Sequence, residues 1–219
     1  MNNSLWIGFL LIVAALLAAI PPASAKGEHD RRLRVEVAVL RGDARLLADP
    51  ATPPLRRQGL RQRIRSSLGT LGMLVRYAAQ SERRPQPELM EQVADLRDLF
   101  ASGNIHGLAR RLDWIKSNYP LDMSGFLPLA ANPSRLRAGQ SIYQKLCMGC
   151  HQNPDRNQPN PAPDLFFLAA TLPQDEFAAR MLGGIHGVRL TTLQNPFSDE
   201  EIASLMTFFA SGRRGQTGG

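Results

Sequence analysis

Apolar residues in the first half of the chain recur with the spacing of helices rather than strands. Leu60, Ile64, Leu68, Leu71, Val75 and Ala78 fall three or four positions apart, which places them on one helical face with Arg57, Arg61, Arg63 and Arg65 mostly outside. A second helix is expected from Pro87 to Ser102, with Leu89, Val93, Leu96 and Phe100 inward, Pro87 in its first turn and Gly103 ending it. A third starts near Asn104, buries Ile105, Leu108, Leu112 and Ile115, and stops at Asn118-Tyr119-Pro120. Leu33 to Ala48 supplies a fourth. Four amphipathic helices with short connections predict a small antiparallel bundle, in which each apolar stripe is hidden against the others.

The pattern changes after residue 120. Residues 121–132, "LDMSGFLPLAAN", lack periodicity and read as a linker whose Phe126 and Leu129 pack somewhere. A helix capped by Asn132 or Ser134 then carries Leu136, Gly139, Ile142, Tyr143 and Leu146. The proline- and asparagine-rich run "HQNPDRNQPNPAPD" must be loop. Thr171 to Leu182 restores a helix, with Thr171 and Gln174 at capping-box spacing, Phe177 and Met181 one turn apart, and Gly183-Gly184 as a stop. The last helix has the clearest entry: Ser198 as N-cap, Glu201 three residues on, and a Phe197 to Ile202 staple. The expected class is all-α, divided into residues 1–25, 26–120, 121–132, 133–212 and a frayed tail, 213–219.

The ends and the charge add to this outline. The apolar run from Leu5 to Ile20 precedes Pro21-Pro22 and the small-x-small stretch Ala23-Ser24-Ala25, which reads as a signal peptide with Lys26 at the mature N-terminus. An uncleaved membrane anchor is the other reading of the same run. Either way the remainder faces an oxidising compartment, the periplasm, where a vacant Cys-x-x-Cys pair tends to oxidise. The net charge of +7 is built from 23 arginines and only three lysines. Residues 26–120 carry 18 basic and 11 acidic side chains, whereas residues 121–219 carry eight of each. Arginines interspersed with acids and few aromatics favour a solvated helical face, or a docking surface for an acidic protein or lipid, over nucleic-acid binding. His106 is read as a surface or core residue without a chemical role.

The only two cysteines lie in "GQSIYQKLCMGCHQNP", as Cys147-Met-Gly-Cys150-His151. Cys-x-x-Cys-His lets two thiols add across the vinyl groups of one haem while the next residue offers an imidazole to the iron. A structural zinc site would want a second ligand pair, and a thioredoxin-like redox pair would want a strand before the motif; neither is visible.

The flanks of the motif strengthen that reading. Over about residues 133–212 the chain resembles the class I c-type cytochromes. Gly139 and Tyr143, eight and four residues before Cys147, stand where that family places a glycine and an aromatic at the crossing of its first and last helices. The resemblance puts Leu205 and Phe208 on the other side of that crossing. It also implies a proline carbonyl that accepts the Nδ1 proton of His151, with Pro163 in "PAPDL" matching best and Pro161 as the alternative. Cys147 and Cys150 would anchor one heme c, with His151 as proximal ligand.

The sixth iron ligand departs from the family. The loop "GGIHGVRLTTLQNPFSDEEI" holds no methionine, and Leu190 falls near the position where one is expected. His186 in that loop would give a bis-histidine iron. Without it the iron would be five-coordinate or water-bound. Met181 is a further candidate, though its spacing from Phe177 suits a core residue; Met206, Met123 and His106 stand behind it. Arg189 could pair with a haem propionate or stand over an open distal face, and Asp164 reads as a turn or cap acid. No Ser-His-Asp set, carboxylate pair or nucleotide loop is visible, so the expectation is an electron carrier rather than an enzyme. Its partner would be an acidic redox protein, with membrane contact only if the N-terminal segment stays attached. A haem protein whose open distal site binds or turns over a gas, peroxide or sulfur species is the alternative.

Overall fold

The computed structural model describes residues 27–81, 86–127, 132–159, 161–184, 195 and 197–212. Among them every regular element is helical: α1 (Glu28–Ala48), α2 (Pro54–Ser81), α3 (Pro87–Ala101), α4 (Ile105–Asn118), α5 (Pro133–Ile142), a π-helical turn (Tyr143–Cys147), α6 (Met148–His151), α7 (Leu165–Thr171), α8 (Gln174–Leu182) and α9 (Asp199–Ala210). None of the described helices is long and apolar enough to cross a membrane. The signal-peptide reading and the tail, residues 213–219, lie outside the described residues.

Helices α1 to α4 gather around one apolar cluster, with α1 against α2 and α4, and α3 bridging α2 and α4. Leu60, Ile64, Leu71, Leu89, Leu96, Leu108, Leu112 and Ile115 are wholly buried there. Each such side chain contributes about 1.5–3 kcal/mol relative to exposure. Helix α1 is buried on two sides. Leu33, Val37, Leu40, Ala44 and Leu47 face α2 and α4, while Val35, Ala38 and Val39 pack with Leu121 and with Ala179 of α8. A helix covered on both flanks buries residues outside its main apolar stripe, and a single periodic stripe does not mark them.

The remaining helices build a second cluster from α5, the π turn, α7, α8 and α9. Between the two clusters lies a set of buried charges. Asp43 of α1 is fully buried and accepts from Arg63 of α2 and, at 3.1 Å, from Arg180 of α8. Glu176, also of α8, accepts from Arg180 at 2.9 Å and from Arg45 at 3.0 Å. Gly42 makes room for this: a Cβ there would stand 2.5 Å from Glu176 Cδ and 2.6 Å from an Arg180 guanidinium nitrogen. Lys116 to Asp175 at 2.7 Å and Arg31 to Asp199 at 2.6 Å add paired charges at the edge.

Three expectations change. Arg63 does not lie outside; a buried carboxylate needs a partner, and Arg63 turns inward to Asp43. Thr171 does not cap a helix, because it ends α7 and its hydroxyl donates to the Phe167 carbonyl at 2.8 Å. Leu172 is extended ahead of Pro173, and α8 starts at Gln174 without a side-chain cap. Helix α7 itself had no periodic signal, being only seven residues long. The stretch after residue 120 does pack as expected, with Phe126 buried and the Arg31 guanidinium 5.7 Å from its ring centroid; Leu129 lies outside the described residues.

Candidate functional site

The site is built on the crossing of α5 and α9. Asn132 caps α5 by accepting from the Ser134 amide at 2.8 Å, and Pro133 fills the first turn. One and a half turns later Gly139 meets the backbone of Ser204 and the Cβ of Phe208; an added Cβ would lie 2.7 Å from Phe208 Cβ and 2.7 Å from the Ser204 carbonyl carbon. The two helices approach this closely because position 139 has no side chain. Phe208 is at the crossing as expected, and the closest backbone contact comes from Ser204, the residue before Leu205, which is itself buried.

Tyr143 follows one turn on, buried among Phe166, Phe208 and Phe209 with ring centroids 5.4, 5.7 and 5.5 Å away. Edge-on geometry dominates these contacts, and such pairs add about 0.5–1.5 kcal/mol each beyond burial. At Tyr143 the helix widens into the π turn, where the Met148 amide reaches back five residues to the Tyr143 carbonyl. Inserted turns of this kind often sit at functional sites. Here the turn delivers Cys147 half-buried against the second cluster, and Cys150 follows exposed; both are free thiols. Burial, and then the neighbouring Cys150, push the Cys147 pKa up.

His151 closes the short α6. Its Nδ1 lies 2.6 Å from the carbonyl oxygen of Pro163, which can only accept, so the ring donates from Nδ1, and in the neutral tautomer that makes this bond Nε2 is the acceptor nitrogen. Of the two prolines considered, Pro163 makes this contact. The carbonyl is held in place from the next residue: Asp164 caps α7 by accepting from the Phe166 and Phe167 amides at 2.9 and 3.2 Å. Asp164 is thus the cap acid that was expected.

On the other side of the motif, Met181 is partly buried against the second cluster and Met206 is buried within it, and Met123 packs against the same cluster. His106 is exposed on α4. His186, Arg189 and Leu190 lie outside the described residues. The segment that carries them leaves after Gly184, whose φ is 73°, and α8 is tied to the returning chain by Asn195, whose amide donates to the carbonyls of Met181 and Leu182 at 2.9 and 3.2 Å. The Ser198 to Glu201 capping box then starts α9, with both reciprocal bonds present.

The chain matches no family model, no curated protein and no solved structure. The chemistry of this site must therefore be read from its own donor set. Among the described residues no three His, Cys, Asp or Glu side chains gather as a metal cluster. The motif offers two thiols within one turn and one imidazole with Nε2 available. Leu146 and Phe167, beside the first cysteine and in α7, are 65% and 61% exposed, the largest exposures among the described large apolar residues. Two thiols, a pre-set imidazole tautomer and uncovered apolar side chains fit a covalently attached haem. Sequence reasoning missed Phe166 and Phe209, whose aromatic spacing resembles ordinary core, and the π turn, for which no residue signal exists.

Proposed function

We propose that the protein is an exported monohaem c-type cytochrome that carries single electrons between periplasmic redox partners. The observation that carries the reading is the 2.6 Å contact from His151 Nδ1 to the Pro163 carbonyl, twelve residues on. That bond fixes the tautomer, orients the ring and raises the donor strength of Nε2, as outer partners of metal-bound histidines do. Cys147 and Cys150 would form the two thioether links, and Tyr143 with its aromatic neighbours would brace the helix that presents them. Heme c supplies one reversible electron at iron when bound. The Arg-rich helices α1 to α4 read as the docking module for an acidic partner, because complementary charge steers encounter. Arg32, Arg61, Arg65, Arg76 and Arg110 remain exposed for that task after the pairs described above are formed.

The test is expression in a host with c-type cytochrome maturation. Covalent haem on a denaturing gel, lost when Cys147→Ala and Cys150→Ala are combined in one chain, supports the reading; a chain that matures without covalent haem overturns it. The absence of a methionine between Gly184 and Ser198 favours a second reading, an open distal face that binds small ligands. Spectra with and without carbon monoxide separate the two: iron that ignores carbon monoxide in wild type and takes it up in His186→Ala assigns His186 as distal ligand.

A further inference from the structure

Helix α3 packs on α2 and α4 and stands opposite α1, the helix that carries the second cluster. Arg97 of α3 reaches across to α2, its guanidinium donating to the Leu68 and Gly69 carbonyls at 3.0 and 3.3 Å. Because α2 ends at Ser81 and α3 starts at Pro87, this tie means that the two helices run antiparallel. Arg65, Met73 and Arg76 are exposed along one stripe of α2, and Glu91, Ala94 and Asp98 along the neighbouring stripe of α3.

This side of the bundle is therefore divided by charge, with two cations on one helix and two anions on the other. None of the four pairs with another charge among the described residues. Exposed charges elsewhere do pair, as Arg41 with Asp113 at 2.6 Å and Arg135 with Glu200 at 2.7 Å. A second copy turned about a two-fold axis parallel to the helices lays α2 over the other copy's α3, and α3 over its α2. Such a rotation keeps every residue at its own height along the bundle, so Arg76 meets Glu91 of the second copy and Arg65 meets its Asp98. The two cations are about 16 Å apart along α2 and the two anions about 10 Å apart along α3, at about 1.5 Å per residue. Shared between two ends, that difference is within the reach of an arginine side chain. Met73 covers Ala94 of the second copy between the two pairs.

We propose that this face joins two copies of the chain in a symmetric dimer held by Arg76 to Glu91 and Arg65 to Asp98, each pair formed twice. Exposed pairs are individually weak, so the dimer is weak and salt-sensitive. The dimer does not rest on the haem reading; it takes two of the arginines offered above to a redox partner and leaves Arg32, Arg61 and Arg110 for that task. Sedimentation equilibrium of the purified full chain reads the dissociation constant, which should rise about tenfold or more between about 0.05 and 0.5 M salt. Arg76→Glu and Glu91→Arg should each weaken the dimer about tenfold or more, because each sets like charges face to face twice. Mixed in equal amounts, the two variants should form a heterodimer about as tight as the wild-type dimer, since both contacts regain opposite signs. Arg137→Glu, an equal change of charge on the exposed side of α5, should leave the constant within about twofold. A monomer at every concentration up to about 1 mM would overturn the proposal and leave the face to a different protein. So would a dimer indifferent to Arg76→Glu, a mixture no tighter than its separate variants, or equal weakening by Arg137→Glu. All three substituted side chains are exposed, so the variants keep the wild-type fold, which far-ultraviolet circular dichroism checks.

Discussion

Replacing Gly139 by alanine adds one methyl group where α5 and α9 cross. The new Cβ would lie 2.7 Å from Phe208 Cβ and from the Ser204 carbonyl carbon. Carbon atoms in ordinary contact are about 3.5–4.0 Å apart, so the shortfall is about 1 Å. Ser204 presents backbone, which cannot rotate aside, and the helices must separate by a comparable amount, loosening the rings around Tyr143. Overpacking of this kind costs about 1–3 kcal/mol. Against it stands the helix propensity gained on replacing glycine, about 0.8–1 kcal/mol. The expected net loss is about 0–2 kcal/mol. Gly69, exposed on α2 with nothing within 4 Å of a built Cβ, is the control, and Gly69→Ala should gain about 0.5–1 kcal/mol. Urea unfolding followed by far-ultraviolet circular dichroism reads both as shifts in midpoint at constant slope. A Gly139→Ala chain as stable as Gly69→Ala would refute the close-crossing argument.

Asp43→Ala strands Arg63 as a largely buried cation, leaves Arg180 with Glu176 alone, and should cost about 3–5 kcal/mol in the same urea assay. Arg31→Ala breaks a pair with Asp199 whose side chains are 39% and 60% exposed, and should change stability by less than about 1 kcal/mol; equal effects for the two variants would contradict the burial argument. Ser198→Ala should cost about 1 kcal/mol through the lost cap of α9, read as a lower urea midpoint. Glu201 is held below the usual carboxylate range by the Ser198 amide and then the Ser198 hydroxyl. Its stabilisation is therefore complete above the unfolded-state pKa and lost as pH falls through the lower folded one, so the gap between wild type and Glu201→Gln should close on acidification from about pH 6 to about pH 3. In the haem-free chain, iodoacetamide should label exposed Cys150 before half-buried Cys147, scored by peptide mass.

What the sequence could show follows from the kind of force involved. Helices α2, α3 and α4 bury one stripe each, so their spacing of apolar residues alone placed them within a few residues of their observed bounds. The capping box at Ser198 was legible because both of its bonds are local. Helix α7 was not, since seven residues give no period and only Asp164 announces it. Arg63 was misplaced for a different reason. Helical phase puts it near the border of the buried face, and the choice between water and Asp43 depends on α1, a partner twenty residues away in sequence. Cys147, Cys150 and His151 are neighbours in sequence, so their proximity was legible in the motif itself. The Pro163 contact needed a family resemblance to anticipate, because nothing local distinguishes it from Pro161.

The same division between local and distant forces bears on why the Arg-rich helices accompany the cysteine-bearing ones. A docking module on a loose tether would need no buried contact with the unit it serves. Instead α1 gives up the side chain at Gly42, buries Asp43 and accepts Arg180 and Glu176 from α8 against its backbone. Buried ion pairs are poor sources of net stability, but they reject misaligned packing, since any slip leaves a charge unpaired in a dry interface. Helix α8 runs from that interface to Leu182, two residues before Gly184, after which the sequence holds His186 and Arg189. The network thus ties the end of α8 to α1 through pairs that a shift of α8 would break. A partner bound to the exposed arginines of α1 and α2 would in this way face the cysteine-bearing helices in a set orientation, which a flexible linker would not provide.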